Sequence, residues 1–198
     1  MFNDRSTPLS LLRTRRSGKP REMVAPGPDP DALNEMIAIA ARTPDHGKLF
    51  PWRFVVVPQE ARPALALALG EVLQAEKADC TARDVEAAAQ FAMQAPTLVV
   101  VLSAPIAGHK IPLWEQELSA GALCMNLLHA AHAMGFVGGW ITGWAAYSPG
   151  VRDLFGKDGE RIAGFVFIGT PMRPLEERPR PELSEIVHIW QSGSGPAA

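Results

Sequence analysis

Two cysteines are all that this chain of 198 residues contains, Cys80 and Cys124, far apart and in no metal-ligand spacing. That scarcity excludes a disulfide framework and a zinc cluster, and it fits reduced thiols in a cytoplasmic protein. A basic excess is missing too. The formal net charge is −2, against the basic surface that non-specific nucleic-acid binding requires. The first twenty residues are basic and polar without a continuous apolar core, so they do not read as a signal peptide. The longest apolar run, residues 120–137, is interrupted by Asn126, His129 and His132, which suits a buried helix rather than a membrane span. Gly-x-Ser-x-Gly, G-x-G-x-x-G and Walker-type loops are absent, which removes the serine-hydrolase elbow and the common nucleotide-binding fingerprints. With 47% hydrophobic and 20% charged residues, no internal repeat and no second composition, residues 1–198 read as one globular domain.

What is present alternates between helical and strand patterns. Leu9, Leu11 and Leu12 suggest a short helix ending in the basic turn Arg15-Arg16-Ser17, and the prolines from Pro20 to Pro30 interrupt regular structure after it. Leu33, Met36, Ile37, Ala40 and Ala41 follow helical spacing behind Asp29 and Asp31, and Pro44 stops that helix. Residues 53–57 and 97–102 read as buried strands, with helices over about 60–78 and 84–94 between them on one side of the sheet. A long apolar helix follows Trp114-Glu115-Gln116-Glu117 and ends near Met134, with Gly135 as C-cap. Residues 138–143 form a glycine-bracketed strand, Ser148-Pro149 opens a short helix, and residues 163–168 form a strand closed by a Gly169-Thr170-Pro171 turn. The order indicates an α/β (α+β type) fold with a mixed central sheet covered on both faces. Residues 172–198 form an extended C-terminal arm that includes a flexible Ser192–Gly195 tail. The long helix is apolar almost all round, so it belongs either at the domain centre or against its copy in a dimer.

Polar clusters sit at the edges of these apolar elements. Arg15, Arg16 and Ser17 offer guanidinium forks and a hydroxyl that match phosphate oxygens, or else form a solvated basic turn. Arg42 and His46 flank Pro44 at a helix end, where a cation also suits the helix dipole. Gly138, Gly139 and Gly143 around Trp140 permit close approach of a flat ligand, or equally a bulge or tight packing. His129 and His132 stand three apart without a third ligand nearby, which favours core or interface histidines over a metal site.

Taken in order, these pieces resemble the nitroreductase family of flavin mononucleotide enzymes, in its short YdjA-like branch. The resemblance rests on Arg15-Arg16-Ser17; on residues 41–46 with Pro51-Trp52-Arg53-Phe54; on Trp114 to Gly121; on Met134-Gly135-Phe136 with Gly138-Gly139-Trp140; and on residues 164–171. It implies a three-layer homodimer with two FMN sites at the subunit interface. By that analogy Arg15, Arg16 and Ser17 hold the flavin phosphate and ribityl chain, and Arg42 and His46 belong to the same site. His46 would reach in from the partner, and Gly138, Gly139, Trp140, Ile141 and Thr142 would line the isoalloxazine ring. The implied activity is ping-pong transfer of hydride from NADH or NADPH through flavin N5 to an electron-poor acceptor such as a nitroaromatic or quinone. The expected site residues bind the cofactor, and none acts as a general base. A dehalogenating or flavin-consuming enzyme, or a non-catalytic flavin-binding dimer, are the alternatives within the same resemblance. Lys48 and Phe50 replace an asparagine and a glutamine of many relatives, and Ile141 replaces an arginine.

Overall fold

The computed structural model describes residues 1–191, so the Ser192–Gly195 tail lies outside the described residues. Short polar signals start most helices. Thr7 accepts from Ser10 N–H ahead of α1 (Pro8–Thr14), and Asp29 accepts from Ala32 N–H ahead of α2 (Pro30–Ala40). Thr81 and Asp84 form a reciprocal capping box for α4 (Ala82–Met93), and Ser148 caps α7 (Pro149–Phe155). The remaining helices are α3 (Arg62–Glu76), α5 (Leu113–Ala133), α6 (Trp144–Tyr147) and α8 (Leu183–Ile186). Gly135 takes a φ of +95° after α5, and Phe136 N–H bonds back to Ala131 O, as expected of a glycine C-cap.

Five strands make one sheet: β1 (Met23–Val24), β2 (Trp52–Val57), β3 (Thr97–Ser103), β4 (Val137–Ile141) and β5 (Arg161–Pro171). β5 pairs with β3, β4 and β1, and β3 pairs in turn with β2. Every described pairing is antiparallel, where a sheet of mixed direction was expected. For β2 and β3 the reason lies in their connection. It contains a hairpin of two helices, which returns the chain to the end it left, so the next strand runs the opposite way. Two boundaries also differ. Residues 169–171, expected as a turn, stay in β5 because Thr170 and Pro171 pair with Val24 and Met23. Thr142 and Gly143 fall outside β4, since the chain leaves the sheet at Ile141 to start α6.

Alternation along the central strands sorts the core into two layers. Leu98, Val100, Leu102, Phe165 and Phe167 pack against α3, α4 and α7, whereas Val99, Val101, Val166 and Ile168 pack against α2 and α5. Because both faces are covered, β3 reads as an unbroken apolar run. Residues 172–191 leave this body as exposed chain apart from Leu175, with α8 their one helical turn.

Arg62 ties the α3–α4 layer to the sheet. Only 2% exposed, it donates from Nε to Val57 O (3.0 Å) and from Nη1 to Ala92 O (2.7 Å) and Gln94 O (3.3 Å). It thereby caps the end of α4 and the end of β2 with one cation. Burial lowers its pKa to about 10, and it remains charged at neutral pH. Arg62→Met should cost about 3 kcal/mol in urea unfolding at fixed protein concentration, because several charge-assisted bonds are lost together. A loss below about 1 kcal/mol would contradict this role.

Candidate functional site

The turn after α1 runs beside β4. Gly18 N–H donates to Gly138 O at 3.2 Å, and the Asn3 side chain clasps Arg16 through its backbone N–H (2.8 Å) and carbonyl (3.1 Å). Arg15 Nη1 reaches Ser17 Oγ at 3.2 Å, so the guanidinium and the hydroxyl face one spot. Arg16 turns elsewhere, with Nε donating to Glu176 O at 2.6 Å. That contact draws the chain beyond β5 over the turn and brings Arg178 and Arg180 near Arg15. Burial and then the like charges of Arg180, Arg16 and Arg178 hold the Arg15 pKa below its ordinary value. Arg180 pairs with Glu177 at 3.3 Å, whereas Arg15 has no acidic partner among the described residues. A partly desolvated guanidinium crowded by like charges and without a carboxylate of its own is what an anionic ligand would neutralise. Sequence reasoning missed Arg178 and Arg180. Their Arg-Pro-Arg setting in a polar, proline-rich stretch gave no local sign that it returns to the first helix.

The glycines of β4 are filled by protein. A Cβ on Gly138 would lie 2.6 Å from Leu128 of α5, and one on Gly139 would lie 2.7 Å from Gly18 O. Close packing of α5 and of the Arg15 turn thus accounts for both positions. Trp140, 37% exposed, folds back over β5, where its Nε1 donates to Ala163 O at 3.0 Å. A Cβ at Gly164 would collide with the indole, so that glycine makes room for it. Ile141 is half-buried and packs against the core on the α3–α4 side, and Thr142 is half-buried where the chain turns. Gly143 then takes φ +72° and ψ −169°, a conformation that strongly favours glycine.

The loop after α2 is pinned to α5 by Ser119, whose Oγ donates to Pro44 O (2.8 Å) and accepts from Trp52 Nε1 (3.2 Å). Asn126 Nδ2 donates to Ile39 O at 2.9 Å, fixing the end of α2. Arg42 is exposed and lines a hollow with Met125, Asn126 and His129. His46 is exposed, with Nδ1 2.8 Å from Glu115 Oε2. Lys48 and Phe50 both hold left-handed backbone, and Phe50 packs edge-on against Trp52 at 6.0 Å.

Helix α5 separates these pieces. Arg15 lies near His129 and His132, whose pKa values it helps to lower, whereas His46 bonds Glu115, 14 residues earlier on the same helix. At about 1.5 Å per residue that is about 21 Å along the axis. Within one chain, Arg15 and Arg42 flank His129, and His46 stands well apart. Trp114, Leu118, Ala122, Met125, His129 and Ala133 recur at helical spacing on the side of α5 away from the sheet, and Trp114 is 68% exposed.

The arrangement fits a flavin phosphate. The cationic cluster is uncompensated at Arg15, and the buried Nδ1 of His129, beside the Arg42 hollow, has no protein partner. His132 is fully buried, and its Nε2 accepts from Gly138 N–H at 3.2 Å, which requires the neutral ring. Burial, followed by the nearby Arg15 charge, lowers its pKa to about 4. Between pH 6.5 and 4 the unfolded chain therefore binds a proton that the native one refuses, so stability falls on acidification through that window. Wild type should lose about 3 kcal/mol more than His132→Gln between pH 7 and pH 4 in urea unfolding. Parallel losses in the two proteins would remove His132 as the titrating group.

Residues 12–170 match the nitroreductase family. The Escherichia coli K12 protein named "Putative NAD(P)H nitroreductase YdjA" is 37% identical over 164 residues, spanning 82% of this chain and 87% of that protein. In fold, the chain is similar to a nitroreductase-like family protein from Bacillus cereus, with a TM-score of 0.81, 22% identity and coverage of 94% and 97% of the two chains. It is also similar to a nitroreductase with bound FMN from Bacteroides fragilis, with a TM-score of 0.67, 19% identity and coverage of 92% and 98%. With the family pattern running from α1 to the end of β5, and an enzyme relative sharing over a third of its residues along most of both lengths, the chain belongs to the nitroreductase family of oxidoreductases.

Proposed function

We propose that this protein is an FMN-dependent NAD(P)H oxidoreductase acting as a homodimer, with each flavin site built from both copies. The observation that carries this reading is the split site on α5. A cationic clamp lies at one end of the helix, the His46 loop at the other, and an apolar stripe along the face between them is left uncovered. Two copies packed through that stripe about a two-fold axis would bring the clamp of one to the loop of the other.

FMN supplies the two-electron chemistry, accepting hydride from NADH or NADPH and returning it to an electron-poor acceptor such as a nitroaromatic or quinone. The chain's own part is to hold and orient. Arg15, Ser17, Arg178 and Arg180 would neutralise the phosphate, with Arg16 holding the arm that carries Arg178 and Arg180. Gly138, Gly139, Trp140, Ile141 and Thr142 would give the ring its wall, backed by α5 and the Arg15 turn. Arg42 would sit beside the same cavity, and His46 would arrive from the second copy. No helix among the described residues is long and apolar enough to cross a membrane.

Arg15→Ala should weaken FMN binding about tenfold or more while the dimer stays folded, since a charge-assisted contact contributes about 1.5–3 kcal/mol. Flavin fluorescence titration measures this, and unchanged affinity would remove the clamp. Sharing between copies has a sharper test. Arg15→Ala and His46→Ala homodimers should each bind flavin poorly, and heterodimers made by mixing them should regain one intact site per dimer. Failure of mixing to restore any flavin would place Arg15 and His46 in separate sites. Steady-state lines at varied NAD(P)H and acceptor should be parallel, because both substrates use one flavin in turn; intersecting lines would argue for a ternary complex.

A further inference from the structure

A cavity of about 550 Å³ lies behind the Arg15 turn, lined by none of the residues assigned to the flavin. That volume falls in the range of small-molecule sites, roughly 300–1,000 Å³. Its walls are largely apolar and include Phe2, Phe136, Val137, Pro171 and Leu175. Its polar side chains are Asn3, Arg5, His132 and Arg173. Arg5 lies so close over Gly135 that a Cβ there would sit 2.8 Å from Nη1, and Arg5 makes no hydrogen bond or ion pair among the described residues. His132 also lines the cavity. Since Nε2 accepts from Gly138, the ring proton sits on Nδ1, and that buried donor has no partner. Asn3 and Arg173, by contrast, are already engaged, Asn3 with the Arg16 backbone and Arg173 with Glu22 at 2.6 Å.

The plain alternative is that Arg5 merely complements the end of α5. A helix C-terminus carries about half a negative charge, so a full guanidinium there still leaves positive charge uncompensated. A largely apolar hollow with an exposed, unpaired cation at its rim and a buried N–H donor in its wall selects a ligand with a carboxylate head and a compact apolar body. We infer that the cavity between the N-terminal segment, the end of α5 and residues 171–175 is a second binding site, separate from the flavin clamp, for a small apolar monocarboxylate. Asn3 joins the two sites through backbone alone, so a ligand here packs against the rear of the clamp and leaves its arginines free.

Benzoate is a suitable probe, with benzyl alcohol as its uncharged counterpart. Titration of the FMN-saturated protein, followed through the amide resonances of residues 135–137, should show saturable benzoate binding. Benzyl alcohol should bind at least about tenfold more weakly, since it lacks the charge that Arg5 meets. Arg5→Met should weaken benzoate about tenfold with flavin content unchanged, and Arg5→Lys should restore most of the loss because the charge returns. Three results would each overturn the assignment: no saturation with benzoate, equal affinity in Arg5→Met, or benzoate binding to the FMN-free protein that is lost once FMN is added. The last would place the anion in the clamp. Loss of flavin from Arg15→Ala is read separately, so the two readings fail independently.

Discussion

Helix α5 is the constraint from which the rest of this structure follows. Twenty-one residues long, it buries Leu123, Cys124, Leu127 and Ala131 completely against α2 and the sheet, while a second stripe on the same helix faces outward. Burial at about 25 cal/mol per Å² makes the inner face costly to alter, because together with α2 it fills the space beneath β3 and β5. Its length then sets the distance between the Arg15 turn and the His46 loop. A shorter helix would let one chain assemble the cluster alone. Burial also silences its Cys124, whose pKa is pushed up to about 12.

Three contacts with α5 position everything of chemical interest. Ser119 fixes the loop after α2, Asn126 fixes the end of α2 itself, and His132 holds the start of β4. Each is a polar side chain on an otherwise apolar helix, and each bonds backbone of another element. Sequence periodicity treats such residues as interruptions, whereas here they are the joints. His132 carries the greatest cost, because a buried imidazole must stay neutral to accept from Gly138 N–H. The cationic clamp works in the opposite sense: crowding raises the energy of Arg15, and an incoming anion would relieve it.

Much of the fold was legible in the chain. Capping residues at Asp29, Thr81 and Ser148, the stop at Pro44 and the glycine after α5 each act within four or five residues, so local reading finds them. The apolar runs of β3 and β5 announced strands buried on both faces. Sheet direction was not legible, because two helices were read between β2 and β3 but their folding back on each other as a hairpin depends on how their faces pack. Gly138 and Gly139 were read with two explanations open; their contacts with Leu128 and Gly18 lie ten residues back in α5 and in a distant turn.

The chain by itself determined the kinds of element, their caps, and the Arg-Arg-Ser and Arg-Thr-Pro-Asp-His clusters at helix ends, since these depend on neighbours in sequence and on residue chemistry. Tertiary structure alone decided that Arg178 and Arg180 return to Arg15, that His46 stands a helix length away from it, and that Arg5 and His132 close around one cavity. The physical reason is range. Capping and periodicity operate over a single turn of helix or a pair of strand residues, whereas the meeting of groups 127 to 165 residues apart follows from how apolar faces stack, which no local pattern encodes.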